Sequence, residues 1–227
     1  SRGLGDVYKR QDLSMSAEIK REILTADSVD LLCAFIKNTG IAVIGKQLEY
    51  LREHGIPLRV ITSTYCGASQ VQAIDRLVNE YGAEVKIGYE SGSTRLHAKA
   101  WLFRRNSGFD TAYIGSSNLS NSALIDGVEW NVRASRTTTP AVLDKFEAVF
   151  DTYWNDPHYA TYTPSEDQER LIEALSRERS GGGRDVRIEL SGLDVEPRPY
   201  QQAMLEALQA ERELHNRHRN LIIAATG

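Results

Sequence analysis

Short apolar runs alternate with stretches of helical periodicity from about residue 12 to about residue 154, and this alternation limits the possible folds most strongly. We predict strands at residues 29–36, 58–62, 84–89, 96–103, 111–114 and 129–134. Helices are predicted at residues 41–54, 69–81 and 141–154. Strands and helices that alternate at this spacing indicate an α/β fold in which helices flank a mixed β-sheet.

The composition is that of a globular protein. Hydrophobic residues make up 41% of the chain and charged residues 26%, which is enough for an apolar core. No apolar run approaches the roughly 20 residues of a membrane span, and no apolar leader is present, so we expect a cytoplasmic protein without a membrane partner. The net charge of -4 disfavours a uniformly basic surface but allows a local positive stripe. Cys33 and Cys66 lack CxxC spacing, and we predict that both are buried free thiols.

The texture of the sequence changes along the chain and suggests four parts. Residues 1–11 (SRGLGDVYKRQ) can be back-translated in frame into a string that resembles a transposase-derived sequencing adapter, so we expect an artefact there. Residues 12–160 contain the strand–helix alternation. Residues 161–192 contain a polar helix and a Gly-rich linker. Residues 193–227 begin a second, truncated domain with a helix and a strand.

Five polar residues accompany the later predicted strands at regular separations. His97 and Lys99 lie two apart within one strand, so we expect both side chains on the same face of the sheet. Ser116 and Asn118 are also two apart, after a strand, and Glu129 follows eleven residues beyond Asn118. The pattern therefore predicts that an imidazole, an ammonium, a hydroxyl, an amide and a carboxylate meet at one end of the sheet.

This set of side chains suits cleavage of a phosphodiester without a metal ion. Lys99, Ser116 and Asn118 would bind the nonbridging oxygens, where charge accumulates in the transition state. The imidazole of His97 would attack phosphorus, and Glu129 would hold its other nitrogen in the useful tautomer. An isolated HxK means little, and GSSN alone is a good turn and helix cap, but the full set is hard to attribute to chance. The remaining histidines are scattered without cysteine or acidic co-ligands, so we predict no metal site.

At these residues the sequence resembles the phospholipase D superfamily, whose signature is HxK, a downstream GSxN and a Glu about eleven residues beyond the Asn. The resemblance spans most of residues 12–154. It implies a phospholipase-D-like half-unit and a covalent phosphohistidine intermediate. Two histidines are then needed, one as the nucleophile and one as the acid on the leaving oxygen, and His97 would fill either role.

The chain contains one HxK motif, although a complete site of this family needs two. The resemblance therefore implies a symmetric homodimer in which His97 of each subunit meets across a two-fold axis. A different partner, or another region of a longer chain, is the alternative source of the second half. The family also places an Asp five residues after the Lys, where this chain has Arg104. Asp110 is a candidate replacement, and catalytic decay is the alternative interpretation.

Basic residues surround the predicted phosphate site: Arg95, Arg104, Arg105 and Arg133. In an acidic chain, such a cluster suits a nucleic-acid backbone, and DNA is the predicted partner. The alternative interpretation is a set of solvated strand ends. Thr62, Thr64 and Tyr65, after the second strand, would either contact the substrate or cap the following helix.

The end of the chain resembles the start of a superfamily-2 helicase. The segment RPYQ at 198–201 resembles the Q motif, in which the Gln reads the adenine edge, and this role carries over to Gln201. The segment LIIAATG at 221–227 resembles a buried strand entering a P-loop, with Thr226 and Gly227 at the start of the loop. ATP and Mg²⁺ are therefore expected only for the full-length helicase, and no cofactor is expected for the phosphodiesterase domain.

These patterns together predict a bacterial nuclease domain fused to a DNA-translocating ATPase, as in fusions linked to restriction, phage defence or repair. One alternative is a phospholipid hydrolase or transferase with the same chemistry, which the helicase-like end disfavours. A second is a degenerate DNA-recognition module, which Arg104 favours and the intact pair of His97 and Lys99 disfavours. A third is a structural dimerisation module, which leaves the five polar residues unexplained.

Overall fold

A computed structural model of the protein describes residues 14–89, 96–120, 123–124 and 131–180. The chain divides into two units between Gly183 and Arg184, and every described residue lies in the first unit. The predicted adapter-like segment and the helicase-like residues lie outside the described part of the chain: residues 1–11, Gln201, Thr226 and Gly227. Among the described helices, none is long and apolar enough to cross a lipid bilayer.

Helices and strands alternate along the described chain, as the sequence predicts. The helices are α1 (Met15–Ile23), α2 (Asn38–Glu53), α3 (Val71–Asn79), α4 (Pro140–Asn155) and α5 (Pro164–Ser180). The strands are β1 (Ser28–Cys33), β2 (Leu58–Ser63), β3 (Glu84–Gly88), β4 (Lys99–Arg104), β5 (Thr111–Gly115), β6 (Asn131–Ser135) and β7 (Tyr159–Thr161). A short 3₁₀ turn, Tyr65–Gly67, follows β2.

The seven strands form one mixed sheet in the order β6-β5-β4-β1-β2-β3-β7. The strands β1, β2 and β3 are parallel, and the other neighbouring pairs are antiparallel. The predicted mixed sheet is therefore confirmed. We call one end of the sheet the site edge, which carries Cys33, Ser63, Lys99, Gly115 and Asn131. The opposite end, the far edge, carries Ser28, Leu58, Arg104, Thr111 and Ser135.

The sheet separates two apolar cores. Helices α1, α2, α3 and α5 cover one face, where Ile19, Ile44, Ile74 and Leu171 are fully or almost fully buried. Helix α4 covers the other face through residues that include Phe150. Each large aliphatic side chain removed from water contributes roughly 1.5–3 kcal/mol, so these two layers hold the sheet rigidly enough to position side chains at its edges.

The sequence patterns did not predict α1 or β7. Helix α1 has nine residues, four of them charged, so its buried side consists largely of Ile19 and Ile23. The side chain of Ser14 caps the helix by accepting a hydrogen bond from the Ala17 amide. Such a short apolar stripe is easily missed in a sequence, because tertiary packing and not intrinsic propensity stabilises it.

The predicted polar helix at residues 164–179 is observed as α5, and it packs on the domain. Leu171 and Leu175 of α5 are buried in the larger apolar core. The predicted domain boundary at residue 160 falls inside β7, which pairs with β3. Helix α5 is therefore part of the folded unit and does not form a free linker.

Candidate active site

His97 and Lys99 lie at the site edge, where β4 begins. Lys99 is the first residue of β4 and pairs with Cys33 of β1, and His97 precedes the strand. Lys99 Nζ lies 3.0 Å from His97 Nε2 and donates to the His97 carbonyl oxygen at 2.8 Å. Because an ammonium group can only donate, Nε2 is the acceptor and the neutral ring carries its proton on Nδ1. The two groups are therefore close enough to contact the same phosphate.

The surroundings of His97 favour the neutral imidazole. Partial removal of the ring from water, followed by the positive charge of Lys99, lowers the pKa of His97 below the ordinary value near 6.5. The ring itself is exposed, whereas Lys99 is only 7% exposed. The neutral ring is the form that is able to act as a nucleophile.

Asn118 lies in the loop after β5 and is 7% exposed. Its Oδ1 accepts a hydrogen bond from the main-chain amide of Phe35 at 3.2 Å. The next carbonyl, of Leu119, accepts from the amide of Lys37 at 2.9 Å. These bonds fasten the loop after β5 to the segment after β1. Since Oδ1 accepts from the main chain, the NH₂ group of Asn118 is the donor that would meet a phosphate oxygen.

Gly40 allows α2 to approach this loop closely. A Cβ atom at Gly40 would lie 2.3 Å from the carbonyl carbon and oxygen of Leu119 and 2.5 Å from the amide nitrogen of Ser120. These are backbone atoms that cannot rotate away. A glycine at position 40 is therefore needed to keep the loop that carries Asn118 in place.

The two serines of the GSSN segment have different surroundings. Ser116 is exposed at the site edge. Ser117 is buried, and its Oγ accepts from Asn131 Nδ2 at 2.7 Å and donates to the Ala123 carbonyl at 3.4 Å. Ser117 thus connects the loop to the start of β6. The sequence analysis selected Ser116 for the site, and it gave no role to Ser117.

The 3₁₀ turn after β2 brings Tyr65 next to His97. The two ring centroids are 6.0 Å apart, and the planes meet at 84°, so one ring points its edge at the other. The turn contains Cys66 at φ 55°, in the left-handed region that residues other than glycine rarely adopt. From α5, Arg179 Nε donates to the Gly67 carbonyl at 2.7 Å. Tyr65 is therefore placed by a tight turn that α5 supports. The alternative role, a cap of the following helix, is not observed, because the N-cap residue of α3 is Gln70 and no side chain caps that helix.

Arg104 is not at the predicted phosphate site. It ends β4 at the far edge, roughly 16 Å from Lys99 at about 3.3 Å per strand residue. Its Nη1 lies 2.9 Å from Oδ2 of Asp30, which is 1% exposed and also binds Arg59 Nε at 2.7 Å. Arg104, which stands where the family signature has an Asp, therefore belongs to an ion pair between strands and does not alter the groups around His97.

Arg105 and Arg133 form ion pairs with one carboxylate. Arg105 Nη2 lies 2.5 Å from Glu22 Oε2, and Arg133 Nη2 lies 3.2 Å from Glu22 Oε1. Burial alone would raise the pKa of Glu22, but hydrogen bonds from Thr111 and Arg105 outweigh it and leave the pKa below its ordinary value. The structure thus separates Arg105 from the site edge and ties Arg133 to α1, so neither joins His97 in a basic cluster.

Two predicted site residues, Glu129 and Arg95, lie outside the described residues. Both cysteines are free thiols, as predicted, but the prediction of burial is correct for Cys33 and wrong for Cys66. Cys66 is exposed because it lies in the 3₁₀ turn, beyond the end of β2. Within the described residues, no three His, Cys, Asp or Glu side chains are grouped so that they could hold a metal ion.

The fold is similar to that of solved structures. NucT from Helicobacter pylori has 16% sequence identity and a TM-score of 0.51, with 69% of this chain and 95% of that chain covered. The phospholipase D family member Nuc from Salmonella typhimurium has 17% identity and a TM-score of 0.49, with 64% of this chain and 89% of that chain covered. At these identities the likeness to NucT concerns the fold alone. No curated protein matches the sequence.

The sequence also matches a protein family over residues 19–154, a span that is more than half of the 227 residues. The family is described as "Cardiolipin synthase, PLD-like domain". The matched span includes α2 through β6 and all five polar residues of the predicted site. The chain therefore belongs to the PLD-like, or phospholipase D, family of phosphodiesterases.

Proposed function

We propose that this domain is a metal-independent phosphodiesterase that cuts DNA through a phosphohistidine intermediate. The observation that carries the proposal is the 3.0 Å contact between Lys99 Nζ and His97 Nε2. It places a cation for phosphate oxygens beside a neutral, nucleophilic nitrogen. Ser116 and Asn118 lie on the next loop of the same edge and supply further donors for the nonbridging oxygens.

The reaction proceeds in two displacements. In the first, His97 Nε2 bonds to phosphorus while the bond from phosphorus to the leaving oxygen breaks, and an acid protonates that oxygen. In the second, water bonds to phosphorus and gives a proton to the conjugate base of that acid, while the phosphorus–nitrogen bond breaks. The product then leaves with a terminal phosphate, and neutral His97 is restored. Lys99, Ser116 and Asn118 stabilise the charge on the nonbridging oxygens. We assign Glu129 to accept a hydrogen bond from Nδ1 of His97.

Substrate binding would release the nucleophile. Without substrate, Lys99 donates to the same Nε2 lone pair that must attack phosphorus. A phosphate oxygen is a stronger partner for an ammonium group than a neutral imidazole, because the hydrogen bond is then between opposite charges. Lys99 would therefore turn from His97 to the phosphate when the substrate enters, and Nε2 would become available at that moment.

We assign the acid to His97 of a second copy of the chain. The other described histidines, His54 and His158, lie after α2 and before β7 and do not contact His97. Ile114 and Val132 pair across β5 and β6, next to the site edge, and are 37% and 69% exposed. A partner that met the site edge would cover this apolar pair. Mixing wild-type protein with excess His97→Ala should lower the activity of each wild-type subunit, whereas an active monomer would contradict the assignment.

We extend this proposal to residues 193–227. The resemblance of residues 193–227 to a helicase start supports a nuclease domain that precedes a DNA-translocating motor. In that motor Gln201 would read adenine, and Thr226 and Gly227 would begin the phosphate loop for ATP and Mg²⁺. We propose a cytoplasmic, bacterial enzyme of restriction, defence or repair on this basis.

The experiment is cleavage of plasmid and single-stranded DNA in excess EDTA by wild-type protein and His97→Ala. The control is His54→Ala, which changes an exposed histidine at the C-terminal end of α2. We expect cleavage by the wild type and the control and none by His97→Ala. Cleavage that EDTA stops, or that survives His97→Ala, would contradict the proposal, and intact DNA binding without cleavage would favour a recognition module.

A phospholipid phosphodiesterase is the second candidate, and the family description favours it. The same histidine chemistry would operate on a phospholipid phosphodiester. Vesicles of phosphatidylglycerol and cardiolipin, incubated beside DNA under one set of conditions, separate the two candidates. Release of lipid headgroups without any cleavage of DNA would replace the nuclease proposal by this one.

A further inference from the structure

Two aromatic residues follow neighbouring strands at the site edge. Phe35 follows β1 and Tyr65 follows β2, and both are half-buried. Among the described residues, neither belongs to the two apolar cores or to the partly buried residues that pack against them. Leaving aromatic surface in water forgoes the free energy that its burial would provide. A role outside the core would account for both rings.

Both residues lie next to the groups assigned to the phosphate. The ring of Tyr65 is 6.0 Å from that of His97. The main-chain amide of Phe35 donates to Asn118 Oδ1 at 3.2 Å. Lys37 Nζ lies 5.7 Å from the centroid of the Phe35 ring. The ring of Tyr65 therefore lies beside His97, and the main chain of Phe35 lies beside Asn118.

The main chains of the two aromatic residues are joined by hydrogen bonds. Ser63 Oγ donates to the carbonyl of Ala34 at 3.3 Å and accepts from the Tyr65 amide at 3.3 Å. The next amide, of Ile36, donates to Ser69 Oγ at 3.2 Å. The segments after β1 and β2 are thus held together before any ligand arrives, which lowers the entropic cost of binding between them.

We propose that Phe35 and Tyr65 form a stacking subsite for a nucleobase beside the scissile phosphate, with Lys37 binding a neighbouring phosphate. Every base offers a π-face, so stacking on aromatic rings suits a single strand of any sequence. The bases of a duplex are already stacked, and a lipid has no aromatic face. The substrate class is therefore single-stranded nucleic acid. This inference rests on the proposed function and specifies the substrate of the same site.

The test measures binding and does not depend on cleavage. The probes are a fluorescent single-stranded DNA oligonucleotide and a strand of equal length whose sugars lack bases. The protein is the full chain with His97→Asn, so that the probe is not consumed, and affinity is read from fluorescence anisotropy. Phe35→Ala and Phe35→Leu remove the ring, the second with apolar bulk retained, and Phe35→Trp restores an aromatic face. The matched control is Phe109→Ala, since Phe109 is 63% exposed in the loop between β4 and β5 at the far edge.

We expect Phe35→Ala and Phe35→Leu to weaken binding of the base-bearing strand about 10-fold, as loss of one stacked base implies. Binding of the abasic strand should change less than about 2-fold, and Phe35→Trp and Phe109→Ala should stay within about 2-fold for both probes. An unchanged affinity of Phe35→Leu for the base-bearing strand, or equal losses on both strands, would overturn the inference. If the base-bearing strand binds more tightly than the abasic strand but the wild-type protein cuts no DNA, the proposed function is rejected and the stacking subsite is retained.

Discussion

Lys99 and Arg104 occupy the two ends of one strand, β4, and their surroundings are opposite in kind. Lys99, at the site edge, donates to an imidazole nitrogen and a carbonyl oxygen. Arg104, at the far edge, pairs with the buried carboxylate of Asp30. Because Arg104 is bound to a carboxylate, its charge is already neutralised and it offers an incoming anion little attraction. The location of positive charge in the sequence therefore does not by itself locate an anion site.

Paired charges also line a cleft at the far edge. It carries a cleft of about 430 Å³ whose lining includes three arginines and three carboxylates. Arg136, one of these arginines, pairs with Asp110 and Glu147 of the same lining and also with Asp144. Because the charges cancel, this cleft gives a phosphate backbone little net attraction.

Substitution at the two ends of β4 gives the largest expected contrast. Lys99→Met should lower DNA cleavage about 1,000-fold, since it removes the cation for the transition-state charge. Arg104→Met should keep cleavage within about 3-fold but lower the free energy of unfolding by about 1–2 kcal/mol, because Asp30 retains Arg59 as a partner. Cleavage rates and urea titrations measure the two effects. Loss of cleavage in a well-folded Arg104→Met protein would contradict the division of roles.

Gly40→Ala should damage the site from a distance. The added Cβ would overlap the backbone of Leu119, so we expect a loss of about 1–3 kcal/mol in unfolding free energy and weaker phosphate binding by the neighbouring Asn118. Gly45→Ala in the same helix meets only the hydroxyl of Tyr81, at 3.4 Å, and serves as the control. Thermal melts and cleavage rates of the Gly40→Ala and Gly45→Ala proteins measure these effects. Equal effects of the two substitutions would show that the close approach of α2 to the loop of Asn118 is unimportant.

The pKa of His97 offers a smaller but more specific comparison. Partial burial and the Lys99 charge both disfavour the protonated ring, so the ring should become neutral at a pH below 6.5. Protonation of the nucleophile should therefore reduce activity as the pH falls through that lowered pKa. Lys99→Met removes one of the two causes and should raise the pKa. Histidine proton signals followed by NMR against pH, with His97→Ala to assign the resonance, measure this directly, and a pKa above 6.5 in the wild type would oppose a nucleophilic role at neutral pH.

The smallest predicted effect concerns the turn that carries Tyr65. Cys66→Gly should leave the unfolding free energy unchanged or raise it by up to about 1 kcal/mol, because glycine adopts a positive φ without strain. Gly55→Ala places a side chain at φ 63° with no atom nearby, and it should lower stability by about 1 kcal/mol. Differential scanning calorimetry compares the stability of the Cys66→Gly and Gly55→Ala proteins with that of the wild type. A destabilised Cys66→Gly protein would mean that the Cys66 side chain makes a contribution that exceeds the strain.

The apolar runs of the sequence located six of the seven strands, and the structure brings His97, Lys99, Ser116 and Asn118 to one end of the sheet. Apolar runs such as that of β2 are continuous because both faces of the sheet are covered. His97 and Lys99 were predicted in one strand, but β4 begins only at Lys99, and His97 precedes it. The apolar runs are local features, so periodicity was enough to predict the strands.

The roles of the arginines needed information that is not local. Arg104 pairs with Asp30 because β4 runs antiparallel to β1 in a register that sets Ser28 opposite Arg104. Strand order and register join residues that are far apart in the chain, and no pattern around Arg104 reveals them. The same holds for Phe35 and Tyr65, whose proximity to the site depends on β1 and β2 ending at one edge.

The most direct test of the account is to trap the covalent intermediate. A DNA oligonucleotide with radiolabelled internal phosphates is mixed with wild-type protein in EDTA, quenched in denaturant within the first turnover and separated by electrophoresis. The account predicts label attached to the wild-type protein through an acid-labile, base-stable bond, and no label on His97→Ala. Efficient cleavage without any protein-bound label, or equal labelling of His97→Ala, would contradict histidine as the nucleophile.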